Sequence, residues 1–208
     1  EPCDETVSAD QRAANAIAFA SIILLTGYTG QISLGHGALL AIGAYTAALT
    51  QIYLHLPVWI CFVAAVLVTS LFGALLGSAA ARLSGPYLAG TTLALAVGLP
   101  SIANQFSFLG GEQGISFDAG WPPLSFGEAF TQYKWFFWIT SLAALITLWW
   151  IQNLLRSRYG RMWRAVKTNE VAAELAGIHV ARSKVLAFTV SAGIAGMAGA
   201  LLAATINN

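Results

Sequence analysis

Charged residues are scarce in this chain and are absent from its longest apolar stretches. Lys and Arg number 10 and Asp and Glu number 9 among 208 residues, while 57% of the residues are hydrophobic. A soluble domain is about 25% charged, so this composition excludes an ordinary globular protein. No charged residue occurs between Arg12 and Arg82, and because about 20 apolar residues span a bilayer, that stretch alone can cross three times. The sequence predicts an all-α, polytopic transmembrane helical bundle.

The apolar passages also lack the groups that chemistry inside a membrane requires. Apart from His36 they contain no ionisable side chain, with His55 and Arg82 at their edges. Intramembrane catalysis and ion coupling use buried carboxylates, and none is present. The chain has no HExxH pattern and no phosphate-binding GxxxxGK(S/T) loop, and Cys3 and Cys61 are not spaced as metal ligands. We therefore expect no catalytic residue, no metal and no nucleotide bound by this chain.

Six hydrophobic passages are predicted, and the basic residues orient them. Their approximate limits are 12–28, 35–54, 57–81, 85–107, 135–155 and 185–206. Loops rich in Lys and Arg stay in the cytoplasm, which places the loop 156–184 inside and the loop 108–134 outside. Eight of the ten bases then lie inside and seven of the nine acids outside. Within residues 1–54, one interrupted element is an alternative to two separate spans.

The segment Thr26–Tyr45, TGYTGQISLGHGALLAIGAY, carries five glycines and one histidine without any formal charge. Non-helical backbone in a bilayer must be buried in protein or line a cavity, so the glycines indicate an interrupted element beside a transport path. A short cytoplasmic turn is the alternative. His36 either binds a polar substrate or bridges two helices, and the absence of a second ionisable group favours the bridge. The path residues predicted here are Thr26, Gly27, Gly30, Gln31, Ser33, Gly35, His36 and Gly37.

Small residues recur in the third and last passages at spacings that let helices approach closely. Gly73 and Gly77 form a GxxxG pattern, and residues 191–204 read SAGIAGMAGALLAA. Such patterns pack helices against each other in lipid, although Gly and Ala are common in membrane helices in any case. The predicted packing residues are Gly73, Gly77, Gly193, Gly196 and Gly199.

The basic loop contains a stretch with the pattern of one short amphipathic helix, predicted over 160–177. Small apolar residues recur on one stripe, and Gly177 is placed as the C′ residue that ends the helix. The stripe consists of Met162, Ala165, Val166, Ala172, Ala173 and Ala176, with Arg161, Arg164 and Lys167 on other faces. An Ala-rich stripe suits packing against a protein better than lipid binding. The three bases either pair with acids on a partner or only follow the positive-inside bias.

Two long segments closely resemble those of the branched-chain amino acid ABC transporter permeases of the LivM type. They read TGYTGQISLGHGALLAIGAYTAAL (26–49) and GRMWRAVKTNEVAAELAGIHVARSKVLAFTVSAGIAGMAGALLA (160–203). Two shorter segments, RLSGPYLAGTTLAL (82–95) and LGGEQGI (109–115), are also similar to that family. The likeness extends from about Ile17 to Ala204.

The resemblance implies a multi-pass permease subunit of an ATP-driven importer in the bacterial inner membrane. It implies one transmembrane domain over residues 1–208, with further spans of the permease before and after it. The implied cargo is a branched-chain amino acid or a related small amide such as urea. The implied partners are a second, LivH-like permease, two cytoplasmic ABC ATPases that hydrolyse the ATP, and an external (periplasmic) substrate-binding protein, with no nucleic acid and no cofactor on this chain. A passive facilitator is the alternative function.

The resemblance also places ATPase docking in the cytoplasmic loop 156–184. The EAA-x-x-x-G pattern of ABC permeases reads here from Val171 to Gly177, as VAAELAG, with Val171 in place of Glu and without the following I-x-L-P. A passive facilitator has no use for such a docking helix. The predicted coupling residues are Gly160, Arg161, Arg164, Glu170, Ala172, Ala173, Glu174 and Gly177.

Overall fold

The computed structural model describes residues 2–81, 86–106, 115 and 132–206, and the regular structure in these ranges is helical throughout. The elements are α1 Pro2–Ile22, which continues as a π-helix over Ile23–Tyr28, α2 His36–Leu54, α3 Val58–Ala80, α4 Pro86–Gln105, α5 Gln132–Arg156, α6 Arg158–Thr168, α7 Glu170–Leu175 and α8 Val180–Ile206. The predicted all-α fold is confirmed. Apart from Ile115 and residues 132–134, the predicted external loop 108–134 lies outside the described residues.

Five of these helices are long and apolar enough to cross a membrane. They are His36–Leu54, Val58–Ala80, Tyr87–Gln105, Phe137–Arg156 and Val180–Thr205. They correspond to five of the six predicted passages, and the chain is a multi-pass helical membrane protein. The remaining predicted passage, 12–28, is the first along the chain. It falls on the second half of α1 and on the π-helix, neither of which is among the five.

The last helix, α8, lies at the centre of the bundle. In its membrane-spanning stretch 67% of the residues are buried, against 33% or less in the other four spans. Phe188 and Leu201 are fully buried on α8, and the same apolar cluster includes Ile17 of α1 and Leu24 of the π-helix. Many of the other buried positions of α8 are Ala or Gly, and such small residues let neighbouring helices approach closely where the hydrophobic effect between helices is weak.

Backbone contacts between α8 and its neighbours leave no room for a side chain at several glycines. A Cβ atom added at Gly43 would overlap the backbone of Gly196, and one added at Gly199 would overlap the carbonyl group of Leu40. Towards α3, Gly73 faces Ala192, Gly77 faces Phe188, Gly193 faces Ser70, and Gly196 also faces Thr69. The five glycines that were predicted from the sequence to pack helices together therefore lie where α8 contacts α2 or α3.

The spans α4 and α5 are mostly exposed along their outer faces. Only 17% of the membrane-spanning stretch is buried in each of these two helices. Their exposed side chains include Val97 on α4 and Leu145 and Trp149 on α5. In a bilayer such surfaces meet lipid or further transmembrane helices.

Candidate functional site

The amphipathic stretch of the basic loop forms two helices, so the prediction of one helix over 160–177 is wrong at Asn169. Asn169 has extended backbone, with φ −159° and ψ 111°, and separates α6 from α7. Its side-chain Oδ1 accepts a hydrogen bond of 3.1 Å from the backbone N–H of Ala172. Asn is a favoured N-cap, and Glu170 at the first position of α7 suits the positive end of the helix dipole. In the sequence, Asn169 followed by Glu170 was the pattern that could have predicted the start of α7 at this point.

The helix α7 ends as the sequence predicts, with Gly177 at the C′ position. Gly177 has φ +82°, which favours glycine. Its N–H donates to the Glu174 carbonyl at 2.9 Å, and the N–H of Ile178 donates to the Ala173 carbonyl at 3.0 Å. This pair of bonds is the Schellman arrangement. It turns the chain sharply from α7 into α8.

The predicted apolar stripe is divided between the inside and the surface. Val166 and Ala173 are buried and pack together with Val180 at the start of α8. The other alanines of the stripe are exposed, namely Ala165, Ala172 and Ala176. Two larger apolar side chains of α7 are exposed as well, Val171 at 67% and Leu175 at 87%. The side of α7 that carries Val171 and Leu175 is therefore apolar, and the exposed acids Glu170 and Glu174 flank it.

Trp163, which the sequence reading did not single out, anchors α6 to the bundle. It is completely buried, and its indole Nε1–H donates to the Ser183 carbonyl on α8 at 3.2 Å. Gly160, a predicted coupling residue, lies where a Cβ would overlap the backbone of Leu155, at the turn from α5 into α6. Arg161 and Arg164 are exposed, as are Glu170, Ala172 and Glu174. A lone Trp within a basic segment was the signal that could have identified this anchor.

The glycine-rich segment contains a break in the helix over residues 30–35. The π-helix ends at Tyr28, Gly30 reverses the chain with φ +71°, and α2 begins at His36. The break packs against α4, where the backbone N–H of Leu34 donates to Thr92 Oγ1 at 3.1 Å. A Cβ at Gly35 would overlap the backbone of Thr92. One peptide group freed by the break is thereby satisfied inside the protein, as the membrane interior requires.

The break lies alongside α8 and not beyond its end. Gln31 Nε2 lies 3.5 Å from the Lys184 carbonyl, and His36 Nε2 lies 2.9 Å from Ser191 Oγ. Lys184 and Ser191 are seven residues apart, which is about 10 Å of helix, and both lie within the span that begins at Val180. This placement favours the interrupted element over a short turn beyond the spans.

His36 joins three elements through a buried hydroxyl network. The hydroxyl of Ser191 donates to the Ser21 carbonyl on α1 at 2.7 Å, so it accepts from His36 Nε2–H at 2.9 Å. The ring Nδ1 then accepts from Ser33 Oγ at 3.3 Å. With both ring nitrogens occupied and the residue buried, this geometry corresponds to the helix-bridging interpretation of His36.

The other predicted path residues differ in their surroundings. Gln31 and Ser33 are buried, whereas Gly27 and Gly37 are exposed and Thr26 is partly exposed. Gln31 Oε1 is buried and has no hydrogen-bond partner among the described residues. The break therefore holds one free acceptor close to α8.

Two polar contacts connect the break with α6 and α7. Lys167 Nζ donates to the Gly27 carbonyl at 2.6 Å, and its side chain covers Gly30. Glu170 on α7 forms an ion pair of 2.7 Å with Lys184, whose carbonyl faces Gln31. The contact between Lys167 and Gly27 could not be predicted from the sequence, because the two residues are 140 positions apart.

Within the part of the chain that the structure describes, no group of three or more His, Cys, Asp or Glu side chains could hold a metal ion. The polar groups of the site are hydroxyls, amides, one imidazole and the Glu170–Lys184 ion pair. Such groups can guide a polar solute or fix a helix, but they do not form a nucleophile with its base.

A family model described as the permease component of a branched-chain amino acid transport system matches residues 13–208. The chain belongs to this family. Its members are transport permease components and not enzymes. The chain is 34% identical over 203 residues to the high-affinity branched-chain amino acid transport system permease protein LivM of Salmonella typhimurium, covering 87% of this chain and 48% of that protein. LivM of Escherichia coli strain K12 gives the same identity and the same coverage. The chain thus spans about half the length of the curated relatives that it matches. No solved structure gives a significant match.

Proposed function

We propose that this chain forms part of the translocation path of an ATP-driven importer for branched-chain amino acids in the bacterial inner membrane. Both curated relatives are named as permeases for this cargo, and the family is that of a transport permease component. A related small amide such as urea is the alternative cargo.

The observation that carries this proposal is the exposed apolar surface of α7. Leu175 is 87% exposed and Val171 is 67% exposed, and residues four apart lie on the same side of a helix. The surrounding loop is basic and, by the positive-inside rule, cytoplasmic. A large apolar side chain exposed there suits a protein contact. We assign this surface to a cytoplasmic ATPase subunit.

The contacts of Lys167 and Glu170 give the docked ATPase a route to the break. A displacement of α6 acts on Gly27 through the Lys167 hydrogen bond. A displacement of α7 acts on α8 through the Glu170–Lys184 ion pair. ATP binding and hydrolysis would thereby move the break that separates the π-helix from α2, and alternate the access of the path.

Membership of the family supports three further partners in this proposal. A second related permease completes the path, a second ATPase completes the pair, and an external binding protein delivers and selects the cargo. The apolar outer faces of α4 and α5 offer surface for further transmembrane helices.

The docking assignment is tested by Leu175→Arg in the assembled transporter, with Leu175→Met as the matched control. We expect Leu175→Arg to reduce ATPase co-purification and substrate-stimulated ATP hydrolysis by about tenfold or more, as the loss of an interface anchor does. Leu175→Met should retain both. Because Leu175 is exposed, the thermal unfolding of the permease should not change in either variant.

Unchanged ATP hydrolysis in Leu175→Arg would show that docking occurs elsewhere. Uptake that persists in vesicles lacking the ATPase or ATP would instead establish a passive facilitator. Uptake of labelled leucine, isoleucine, valine and urea by the same vesicles separates the two classes of cargo.

A further inference from the structure

A basic cavity of about 690 Å³ lies between α6 and the start of α8. Arg158 and Arg161 line it from α6, Arg182 lines it from α8, and His179 closes it at the turn before α8. The apolar part of its wall consists of Tyr159, Met162, Ala165, Ile178 and Leu186. No carboxylate is among its lining residues. The cavity therefore has three arginines and one histidine among its lining residues and a mostly apolar surface, at the predicted cytoplasmic end of the bundle.

The donors around this cavity are only partly used within the protein. Arg158 donates to the Tyr159 hydroxyl at 3.1 Å, and Arg161 donates to the Arg156 carbonyl at 3.2 Å. A guanidinium group has five N–H donors, so each retains several. Arg182 has no hydrogen bond or ion pair with any residue that the structure describes. The cavity thus presents several donors to an acceptor-rich ligand.

An apolar groove of about 510 Å³ continues from the cavity along the membrane-spanning part of the bundle. The two spaces share Arg182 and Leu186. The groove follows α8 past Val185 to Thr189 and is bounded on α3 by Ser78 and Ala81. It starts where the span of α8 starts and extends towards the bilayer interior. An acyl chain has the shape and polarity that this groove accommodates.

We propose that this cavity and groove together bind one anionic phospholipid. Its phosphate lies against Arg158, Arg161 and Arg182, and an acyl chain lies in the groove between α3 and α8. Basic pockets between transmembrane helices on the cytoplasmic side bind anionic head groups in this manner. The positive-inside bias accounts for arginines in the loop, but it does not account for a cavity that three arginines line without any carboxylate and that shares Arg182 and Leu186 with an apolar groove. The site is distinct from the apolar surface of α7.

The test measures lipid retention by native mass spectrometry and thermal unfolding of the full-length protein. Phosphatidylglycerol should be retained and should raise the unfolding temperature, whereas phosphatidylcholine should do neither. Arg182→Gln should weaken phosphatidylglycerol binding about fivefold, and the triple variant of Arg158, Arg161 and Arg182 about a hundredfold. Arg164→Gln is the matched control, because Arg164 is exposed on α6, the helix of Arg158 and Arg161, and does not line the cavity. This control variant should bind the lipid normally.

A second variant tests the groove separately from the charge. Ala181 lines the groove and is exposed, so Ala181→Trp should obstruct it without disturbing the core. Retention of phosphatidylglycerol should fall while the unfolding temperature without lipid stays the same. If Ala181→Trp binds the lipid as well as the unmodified protein does, the groove does not hold an acyl chain and the proposal fails.

Three further results would overturn the proposal. One is equal retention of phosphatidylcholine. Another is thermal protection by inorganic phosphate alone to the same extent as by the lipid, which would identify a simple anion site. The third is an Arg182→Gln variant that loses the ATPase subunit but retains phosphatidylglycerol, which would assign the cavity to the protein interface.

Discussion

The ammonium group of Lys167, on α6, donates a hydrogen bond of 2.6 Å to the carbonyl oxygen of Gly27, in the last turn of the π-helix. The carbonyls at the end of a helix lack partners within it and carry the negative end of the helix dipole, so a Lys is favoured there. The contact joins the loop proposed to dock the ATPase with the break proposed to line the path.

Replacing Lys167 by Met should uncouple these two parts while keeping the side chain packed over Gly30. We expect substrate-stimulated ATP hydrolysis and uptake to fall about fivefold, the factor that a net contribution of about 1 kcal/mol gives. Thr168→Val is the control, since Thr168 lies on the same helix, is not a predicted coupling residue, and its hydroxyl donates to the Arg164 carbonyl within that helix. Equal uptake by the two variants, measured in proteoliposomes, would show that the Lys167 contact does not transmit movement.

Removal of the Ser191 hydroxyl should destabilise the protein. Ser191→Ala leaves the buried His36 Nε2–H without its acceptor, which we expect to lower the free energy of unfolding by about 1–3 kcal/mol. Ser78→Ala should change it by less than about 0.5 kcal/mol, because that exposed hydroxyl bonds only to Leu75 of its own helix. Denaturation in detergent measures both variants.

Kinetics distinguish the bridging role of His36 from contact with substrate. If His36→Ala retains the stability of the protein and raises the KM for uptake, the ring binds the cargo and the bridge interpretation is wrong. A loss of stability with an unchanged KM supports the bridge.

Alanine should have opposite effects at two helical glycines. Gly43→Ala forces a Cβ into the backbone of Gly196 and should cost about 1–3 kcal/mol of unfolding free energy. Gly98→Ala on α4 meets no atom within 4 Å and should leave stability unchanged or raise it by up to about 1 kcal/mol. Equal effects at both positions would contradict the backbone contact between α2 and α8.

The proposed orientation predicts which loops an impermeant thiol reagent reaches in intact cells. With Cys3 and Cys61 replaced by Ala, a cysteine at Ser116 should be labelled from outside, while a cysteine at Thr168 should be labelled only after the membrane is permeabilised. The opposite pattern would invert the assignment of the loops 108–134 and 156–184.

The spans could be predicted from the sequence because they depend on local hydrophobicity. Five predicted passages coincide with helices of membrane-spanning length. The stop at Gly177 was also predictable, since a glycine after the last turn is a local signal. The divided helix at Asn169 was missed because helix-forming neighbours on both sides outweighed one capping residue.

The contacts that assemble the site depend on distant pairs and could not be read from one sequence. Trp163 reaches Ser183 on another helix, and His36 reaches Ser191 at a separation of 155 residues. The position of the break along α8 is likewise set by contacts with Lys184 and Ser191 and not by the residues of the break alone. Small, polar and glycine-rich composition identified the segment, while tertiary packing decided how each residue is used.

The direct contact of the α2 backbone with the α8 backbone at Gly43 and Gly196 has a mechanical consequence. Helices separated by long side chains can slide, because those side chains change rotamer as the axes move. No such layer of side chains exists at this crossing, so we expect α2 and α8 to move together as one rigid unit. Any conformational change of the bundle must then come from bending at the break or from displacement of α4, which is less buried than α2, α3 or α8.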